Sequence, residues 1–510
     1  MNTLRLILGD QLNYQHSWYK TISEPTIYCM FEMRQETDYV KHHIQKVVGF
    51  FAAMQEFKKY LMSQGHKIVY LTLDDSSNHQ NLEENLSSLI SSLGISKFEY
   101  QSPDEYRLDA QLKTICKTLE ITTQVIESEH FYTNRDELSV FFKGKKQFLM
   151  ERFYRDMRKK NHILMNGEQP EGGEWNYDKS NRNKWKGSPG IPPFINFNNE
   201  VGSILKSIEN CSIETIGRFD GLTLSYPINR AQSLQQLEYF NENLLVHFGD
   251  YQDALHTNEV YLFHSRLSFA MNLKMISPKE IVSSVLSYYR MKSDEITISQ
   301  VEGFIRQVIG WREYMRGMYW AHMPNYKNLN TLDNHHSIPD FFWTGNTQMN
   351  CLSKTINNSL DNAYAHHIQR LMITGNYLLL TQTNPDEVDD WYLGIYIDAL
   401  EWVQLPNTRG MSQFADGGLI ATKPYVSSGS YINKMSNYCG DCKYNVKERL
   451  GENACPFNSL YWNFLDDKRT QLAGNFRMKM MYSVLNKFSS EELVAMKLRA
   501  SEIIDSPGKF

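Results

Sequence analysis

The chain has 510 residues, which is too long for one hydrophobic core, so we expect two or three domains. Hydrophobic residues at 41% and charged residues at 22% are typical of an ordinary soluble globular protein, and the net charge of −5 gives no global indication of nucleic-acid binding. No apolar stretch is long enough for a signal peptide or a membrane span, which excludes the secreted and integral-membrane classes and predicts a cytoplasmic protein.

The first 130 residues alternate between strand-like and helix-like segments. Five short apolar runs predict buried strands at residues 4–8, 26–30, 67–73, 97–100 and 123–127. Residues 39–63 have the apolar spacing of a helix. This alternation predicts an α/β domain over residues 1–135, with a doubly wound, Rossmann-like parallel sheet. The turn Gly9-Asp10-Gln11 after the first strand lacks G-x-G-x-x-G, so a dinucleotide site there is not supported.

Residues 136–232 are irregular and predict a long connector between domains. The run 168–193 is rich in Gly, Pro, Asn and Trp, but Trp175 and Trp185 favour burial over a plain flexible linker. Basic residues crowd the connector at Lys143, Lys145, Lys146, Arg152, Arg155, Arg158, Lys159, Lys160, Lys179, Arg182, Lys184 and Lys186. A solvated face and a phosphate-binding stripe explain them equally well.

Residues 233–510 have helical patterns throughout. The candidate helices cover residues 231–247, 299–319, 351–374, 386–403 and 489–504. The fold class is therefore an α/β domain, a connector and a larger all-α domain.

Three cysteines near the C-terminal end have the spacing of a metal site. Cys439 and Cys442 form a C-x-x-C pair, and Cys455 stands directly before Pro456. Such a turn puts two sulfurs on one metal or cluster, and Cys351, at the start of a predicted helix, is the best candidate for a fourth ligand. Zinc has the higher base rate, whereas a cysteine before proline favours iron–sulfur, so the spacing alone leaves the metal open.

Three stretches of the helical region have the composition of a functional site. They are Leu262-Phe-His-Ser-Arg-Leu-Ser268 with Asn272 and Ile276-Ser277-Pro278, Gln307-Val-Ile-Gly-Trp311-Arg312-Glu313-Tyr314, and Asp390-Trp391-Tyr392 continuing to Asn407-Thr-Arg-Gly410. Photolyases and cryptochromes carry a serine-rich flavin-phosphate loop ending in ISP, a Q…WRE helix and a helix with aspartate and tryptophan, and the chain resembles them over essentially its whole length. The opening LILGDQL, the run YAHHIQRLM at 364–372 and the four cysteines resemble the iron–sulfur bacterial branch, which includes prokaryotic (6-4) photolyases.

This resemblance implies that residues 233–510 bind FAD. The positions that match the family's flavin site are His264, Ser265, Arg266, Leu267, Ser268, Asn272, Gln307, Trp311, Arg312, Tyr392, Asp398 and Glu401. Helical spacing from Trp391 would put Asp398 and Trp402 on one face, so Asp398 is the first candidate to face the flavin N5 edge and Glu401 the second. The resemblance also implies which metal group the cysteine site holds. It implies a [4Fe–4S] cluster bound by Cys351, Cys439, Cys442 and Cys455.

The N-terminal domain is implied to bind an antenna, typically 6,7-dimethyl-8-ribityllumazine in this branch. Asp10 and Glu36 stand at or just beyond the C-terminal ends of predicted strands. Doubly wound sheets commonly bind ligands at those ends, so both carboxylates are candidate antenna ligands.

The same resemblance implies electron transfer and repair residues. Trp391 would be the inner and Trp343 an outer member of a relay that restores reduced flavin, although large aromatics are also common core residues. His366 and His367 are the candidate acids for (6-4) repair, with His367 favoured. Tyr425, Tyr431 and Met411 would line the pocket for the flipped lesion of UV-damaged DNA. We expect a monomer.

Three other functions remain open at this point. A cryptochrome would share the cofactors but signal instead of repairing, and a cyclobutane-dimer photolyase would share the flavin chemistry without needing the acidic histidine. An iron–sulfur protein that binds nucleic acid without photochemistry would hold no flavin. The paired histidines and Tyr425 favour repair.

Overall fold

The computed structural model of the protein describes residues 2–510. Its N-terminal part is a five-stranded sheet. The strands are β1 (Thr3–Leu6), β2 (Thr26–Phe31), β3 (Lys67–Leu71), β4 (Lys97–Gln101) and β5 (Thr122–Ile126). All neighbouring pairs are parallel, and the order is β3-β2-β1-β4-β5. This is the doubly wound arrangement predicted from the alternation, with its switch point between β1 and β4.

The side chains of the inner strand β2 alternate between two buried faces. Cys29 and Phe31 pack on one face with Leu86 and Leu112, whereas Tyr28 and Met30 belong to a core that continues into the helical region. Seven helices accompany the sheet and the connector. They are α1 (Arg34–Thr37), α2 (Ile44–Ser63), α3 (Leu82–Ser92), α4 (Tyr106–Thr118), α5 (Glu137–Phe141), α6 (Met150–Lys160) and α7 (Gly202–Asn210).

The connector is held by local contacts, although its regular structure is sparse. Two pairs of two-residue strands are antiparallel, Met165–Asn166 with Gln169–Pro170 and Asn199–Glu200 with Thr223–Leu224. Trp185 is buried, and the guanidinium groups of Arg155 and Arg158 each lie 5.3 Å from the Trp175 ring. Two of the basic residues of the connector therefore pack against one of its aromatic rings.

The rest of the chain is helical. Its helices are α8 (Arg230–Tyr239), α9 (Leu245–Tyr251), α10 (Ser268–Asn272), α11 (Pro278–Met291), α12 (Ile298–Ile305), α13 (Glu313–His322), α14 (Phe341–Thr344), α15 (Asn350–Asn362), α16 (His367–Gln369), α17 (Asn376–Leu380), α18 (Pro385–Ile395), α19 (Glu401–Leu405), α20 (Gly429–Met435), α21 (Pro456–Asp467), α22 (Arg469–Leu472), α23 (Lys479–Leu485) and α24 (Ser490–Asp505). None of the helices within residues 2–510 is long and apolar enough to cross a membrane.

Four π-helical turns interrupt these helices, at Phe240–Leu244, Arg306–Arg312, Arg370–Gly375 and Pro406–Ser412. Turns of this kind are rare and are frequent at functional sites, because the widened backbone redirects side chains. Three of the four carry or adjoin residues of the predicted flavin and lesion sites.

Two long predicted helices are wrong as continuous elements. Ala363 takes a left-handed backbone conformation (φ 49°) and ends α15, so the predicted helix 351–374 is broken before the histidine pair. Tyr396 is extended and ends α18, so Asp398 lies between α18 and α19. The helical-face argument that joined Trp391 to Asp398 and Trp402 is therefore wrong.

Candidate functional site

A cavity of about 100 Å³ opens at the switch point of the sheet. The lining residues follow the carboxyl ends of three strands. Gly9 and Asp10 follow β1, Glu36 follows β2 and Glu105 follows β4, and Lys46 lines the cavity from α2. The carboxyl ends of parallel strands meet here, so loops from distant sequence positions converge. Both predicted antenna residues, Asp10 and Glu36, line this cavity, which we call the antenna cavity after that prediction.

An arginine organises the acidic side of the antenna cavity. The two terminal nitrogens of Arg107 donate to the two carboxylate oxygens of Glu36 at 3.0 and 2.7 Å, and its guanidinium lies 4.4 Å from the Tyr39 ring. Burial raises the pKa of Glu105 to about 7, with Arg107 opposing the shift. The wall of the cavity thus offers the carboxylate of Glu36 in a fixed orientation. It also offers the carboxyl group of Glu105, which can donate or accept a hydrogen bond near neutral pH.

A buried cation ties the antenna cavity to the helical region. Lys274 Nζ lies 2.9 Å from Asp10 Oδ2 and 2.8 Å from Asp104 Oδ2, and Arg316 Nε lies 3.3 Å from Asp104 Oδ1. Burial alone would raise the pKa of Asp104, but Lys274 and Arg316 hold it below its usual range. The sequence reasoning missed Lys274, whose only signal was its place between Asn272 and the ISP motif.

The loop before α10 presents cationic and aromatic groups together. The imidazoles of His264 and His366 stack with ring centroids 4.7 Å apart. The Arg266 guanidinium lies 4.2 Å from the Tyr261 ring and 4.7 Å from the Tyr226 ring. Arg266 has φ 56°, and Leu267 is buried. Ser265 O accepts from Gln236 Nε2 at 2.7 Å, and Ser268 begins α10.

Several buried polar atoms around this loop have no hydrogen-bond partner within residues 2–510. They are His264 Nε2, His366 Nε2, Arg266 Nε and Nη2, Gln236 Oε1 and Asn241 Oδ1. Buried polar groups are seldom left unpaired, so a concentration of them points to a polar ligand that completes the site.

Asp398 is held from two sides. Arg370 Nη2 donates to both of its carboxylate oxygens, at 3.0 and 3.3 Å, and Asn272 Nδ2 donates to its backbone carbonyl. Arg312 in turn donates to Asn272 Oδ1, and Tyr392 donates to the Arg370 carbonyl at 2.6 Å. Four predicted flavin residues therefore form one network. Arg370 is a further member of this network. It lies inside the YAHHIQRLM run, but the sequence motifs did not indicate it as a flavin residue.

Three other predicted flavin residues lie outside this network. Glu401 accepts from the Tyr319 hydroxyl at 2.8 Å, and its backbone N–H donates to Glu105 Oε1, so it adjoins the antenna cavity. Gln307 is exposed and donates to the Gly303 carbonyl. Trp311 packs its edge against Tyr314.

The two tryptophans predicted to form an electron relay differ in exposure. Trp391 is fully buried, and its indole N–H donates to the Phe342 carbonyl at 3.1 Å. Trp343 follows Phe342 directly and is 40% exposed. Phe342 also packs edge to face on Trp391 with ring centroids 5.1 Å apart. Trp391 is therefore the inner ring of the pair, and Trp343 is the ring that faces solvent.

The histidine pair separates at a helix start. His366 is buried and its Nδ1 accepts from the Ile368 N–H, so it caps α16, while His367 is the first helical residue and is exposed. Although the His367 side chain is exposed, desolvation by the surrounding protein, followed by the charge of Arg370, lowers its pKa to about 4. At neutral pH both imidazoles are uncharged in the free protein.

Charged groups of the connector and of the segment after α9 act on the pKa values of Tyr425 and Tyr431. Burial raises the pKa of Tyr431 to about 12, and Asp253, Arg182 and Tyr425 are close enough to contribute. Asp178 pairs with Arg182 and with Arg306, the latter at 3.3 Å. We call Tyr425, Tyr431, Asp178, Arg182 and Asp253 the tyrosine cluster. Met411 is buried in the π turn Pro406–Ser412.

The four predicted cysteine ligands, Cys351, Cys439, Cys442 and Cys455, line a single small cavity. A Cβ atom on Gly429 would lie 2.8 Å from Cys455 Sγ, so glycine is needed where α20 passes this cavity. Burial raises the pKa of Cys439 to about 11 and of Cys455 to about 12. Across residues 2–510 no three His, Cys, Asp or Glu side chains stand close enough to share one metal ion.

Comparisons with known proteins agree on one family. The family model described as deoxyribodipyrimidine photo-lyase-related protein matches residues 5–223. A (6-4) photolyase of Agrobacterium fabrum is 38% identical over 513 residues, covering 99% of this chain and 99% of its own.

Solved structures share the fold. A bacterial class III photolyase from Agrobacterium tumefaciens aligns with TM-score 0.55 and 13% identity over 96% of this chain and 98% of its own. A cryptochrome of Synechocystis sp. PCC6803 aligns with TM-score 0.58 and 12% identity over 92% and 93% of the two chains. The full-length identity to a photolyase, on this fold, shows that the chain belongs to the photolyase and cryptochrome family.

Proposed function

We propose that this protein is a light-driven DNA photolyase that reverts pyrimidine–pyrimidone (6-4) photoproducts. The observation that carries the proposal is the 38% identity, over 99% of both chains, to a protein named (6-4) photolyase. The histidine pair and the tyrosine cluster support it, because they place neutral imidazoles and aromatic rings in the same helical region. UV-damaged DNA is the substrate, and the protein acts as a monomer.

FAD fits the helical region. The unpaired groups of His264, Arg266 and Gln236 suit phosphate and hydroxyl groups, and the Arg370–Asp398–Asn272 network offers polar atoms for an isoalloxazine edge. When bound and photoexcited in its reduced form, the flavin supplies an electron to the damaged base and receives it back. Arg370 fixes the orientation of Asp398, so the carboxylate presents a defined edge to its ligand.

His367 is the proposed proton donor of the repair reaction. A donor must carry its proton when the lesion is bound, yet the pKa of His367 is about 4 in the free protein. DNA phosphate beside the imidazole would favour the charged form and raise this pKa toward neutrality. His366 caps α16 through Nδ1 and stacks on His264, so its role is to position its neighbour and the ligand.

A [4Fe–4S] cluster fits the cysteine cavity better than zinc. Four sulfurs surround one space, and Cys455 stands directly before Pro456, a feature of iron–sulfur ligand runs. The ligands join α15, the turn before α21 and the C-x-x-C turn, so the cluster would staple the C-terminal segment to the helical core. Equal amounts of iron and acid-labile sulfide in purified protein would support this assignment, whereas zinc would contradict it.

The lining of the antenna cavity suits 6,7-dimethyl-8-ribityllumazine in its chemistry. Asp10, Glu36 and Glu105 suit the ribityl hydroxyls and ring N–H groups, and the apolar lining suits a flat ring. Release of the bound chromophore by denaturation and its identification by mass and fluorescence test this assignment.

The decisive experiment compares two lesions. Reduced protein is illuminated with oligonucleotides that carry either a (6-4) photoproduct or a cyclobutane dimer, and the restored bases are measured. We expect turnover of the (6-4) substrate alone. Turnover of the dimer alone would make this a cyclobutane-dimer photolyase. Turnover of neither, with flavin bound and photoreducible, would make it a photoreceptor of the cryptochrome type.

A further inference from the structure

A strip of apolar side chains lies uncovered near the C-terminal end. Phe476, in the 3₁₀ turn Phe476–Met478, and Met480 and Val484, on α23, are 85%, 74% and 39% exposed. Their spacing of four residues places them on one side of a continuous helical segment. Large apolar side chains grouped at this exposure mark a contact surface more often than a defect of packing.

The strip adjoins the tyrosine cluster. Asn475 Nδ2 donates to the Thr422 carbonyl at 3.0 Å, which joins the start of the strip to the segment that leads to Tyr425. Burial and the charge of Asp178 raise the pKa of Tyr425, and the charges of Arg182 and Arg477 both oppose that rise. Phe476 stands between these two anchoring residues, Asn475 and Arg477.

The segment that carries the strip has charge of one sign between the acidic pairs Asp466-Asp467 and Glu491-Glu492. From residue 468 to residue 490 the chain carries Lys468, Arg469, Arg477, Lys479 and Lys487, and no Asp or Glu. Arg477, Lys479 and Lys487 are exposed. Such a surface is complementary to the phosphates of a nucleic acid, whereas a second copy of the same surface would be repelled by it.

We propose that residues 474–484 form a DNA wedge, in which Phe476 enters the duplex where the lesion has turned out toward Tyr425 and Tyr431. This inference rests on the proposed function. Turning a dinucleotide out of the helix leaves bases without stacking partners, and an aromatic ring inserted there restores part of that stacking. Arg477 and Lys479 contact the flanking phosphates without reading sequence.

The test compares Phe476→Ala with Phe476→Trp and with the control Met62→Ala, since Met62 is 56% exposed at the end of α2. Binding is measured in the dark to a duplex with one (6-4) lesion and to the undamaged duplex, each with 2-aminopurine beside the lesion position. Phe476→Ala should weaken lesion binding on the order of tenfold and reduce the fluorescence change. Undamaged binding should change less than ~2-fold, since phosphate contacts remain. The Trp and control variants should behave like the wild type.

Arg477→Ser gives a second, independent measurement. It should weaken binding to both duplexes and lower the slope of log affinity against log salt by about 1. Wild-type affinity and fluorescence in Phe476→Ala would overturn the wedge. So would an effect confined to the oligomeric state, because it would assign the strip to a second copy. A wild-type protein that does not distinguish the lesion duplex would reject the proposed function together with the wedge.

Discussion

At the scale of single residues, the predicted flavin region is built from charged groups whose partners come from distant parts of the chain. Arg370 holds Asp398, and Arg312 holds Asn272, so each polar group of the network has a fixed direction before a ligand arrives. The stacked His264 and His366 are uncharged at neutral pH, since burial is the largest cause that lowers the pKa of each. A preorganised, uncharged pair avoids the cost of burying two cations together.

His367→Asn should separate binding from repair. The variant should bind lesion DNA as the wild type does, but its repair rate at saturating DNA should fall by ~10²–10⁴-fold, the usual contribution of a general acid. Wild-type repair should decline as the pH rises, because a donor must be protonated, and the variant should lose that dependence. His79→Asn, on the exposed surface before α3, is the control. Retained repair in His367→Asn would remove this histidine from the mechanism.

Trp391→Phe should keep bound flavin but slow its photoreduction several-fold. Phenylalanine preserves most of the buried volume, while it is a far poorer electron donor than indole. The rate is followed by flavin absorbance under continuous blue light with an external reductant. Trp462→Phe, whose ring packs on Phe488 near the C-terminal end, serves as the matched control. Unchanged photoreduction in the Trp391 variant would exclude this residue from the relay.

At the scale of elements, helix ends rather than helix interiors carry the chemistry. His366 caps α16, Asp398 lies in the break between α18 and α19, and the π turns redirect Arg312 and Met411. A regular helix would have placed these groups at fixed angles of about 100°. Breaking the helix lets adjacent residues serve different partners, as His366 and His367 do.

His43 illustrates this at the start of α2. Its Nδ1 accepts from the Gln45 N–H at 3.0 Å and its Nε2 donates to the Leu360 carbonyl at 2.8 Å, so one imidazole caps α2 and ties it to α15. Burial lowers its pKa from 6.5 to about 4. Between these values the unfolded chain binds a proton here that the native protein does not, so this contribution to stability is lost as the pH falls from 6.5 to 4.

His43→Gln should therefore lower the thermal midpoint Tm by a few degrees at pH 8, because two buried hydrogen bonds are lost. The difference from the wild type should shrink at pH 4.5, since the variant lacks the titrating group. Tm is measured by calorimetry at both pH values, with His79→Gln as the exposed control. A difference that stays constant or grows on acidification would contradict the assignment.

At the scale of the whole molecule, one core joins the sheet to the helices. Buried residues from Ile7 to Phe510 form a continuous cluster, which includes one face of the sheet and the centre of the helical region. Lys274 adds a charged tie at the edge of that cluster by holding Asp10 and Asp104. The antenna cavity is thus fixed relative to the flavin network by packing and by buried charge.

Lys274→Met should lower stability strongly. It leaves two buried carboxylates without their shared cation, and breaking a buried pair in this way typically costs ~3–5 kcal/mol. The decrease appears as a lower Tm and as weaker retention of the antenna chromophore. Lys292→Met, which removes an exposed partner of Glu295, should leave Tm unchanged. Equal and small effects of both substitutions on Tm would show that the ion pairs of Lys274 with Asp10 and Asp104 contribute nothing to stability.

The sequence by itself determined the order of the strands along the chain and the helical character of the remainder, and its motifs predict the four cysteine ligands and the flavin set. Period-two and period-3.6 patterns are local, and motif residues keep their spacing, so both can be read without coordinates. Only the tertiary structure decided the roles of Lys274, Arg370 and Arg107, because each pairs with residues far away in sequence. The tertiary structure also decided where the helices break. Neither Ala363 nor Tyr396 carries a local signal that outweighs helical spacing, because the packing of distant segments sets their backbone conformation.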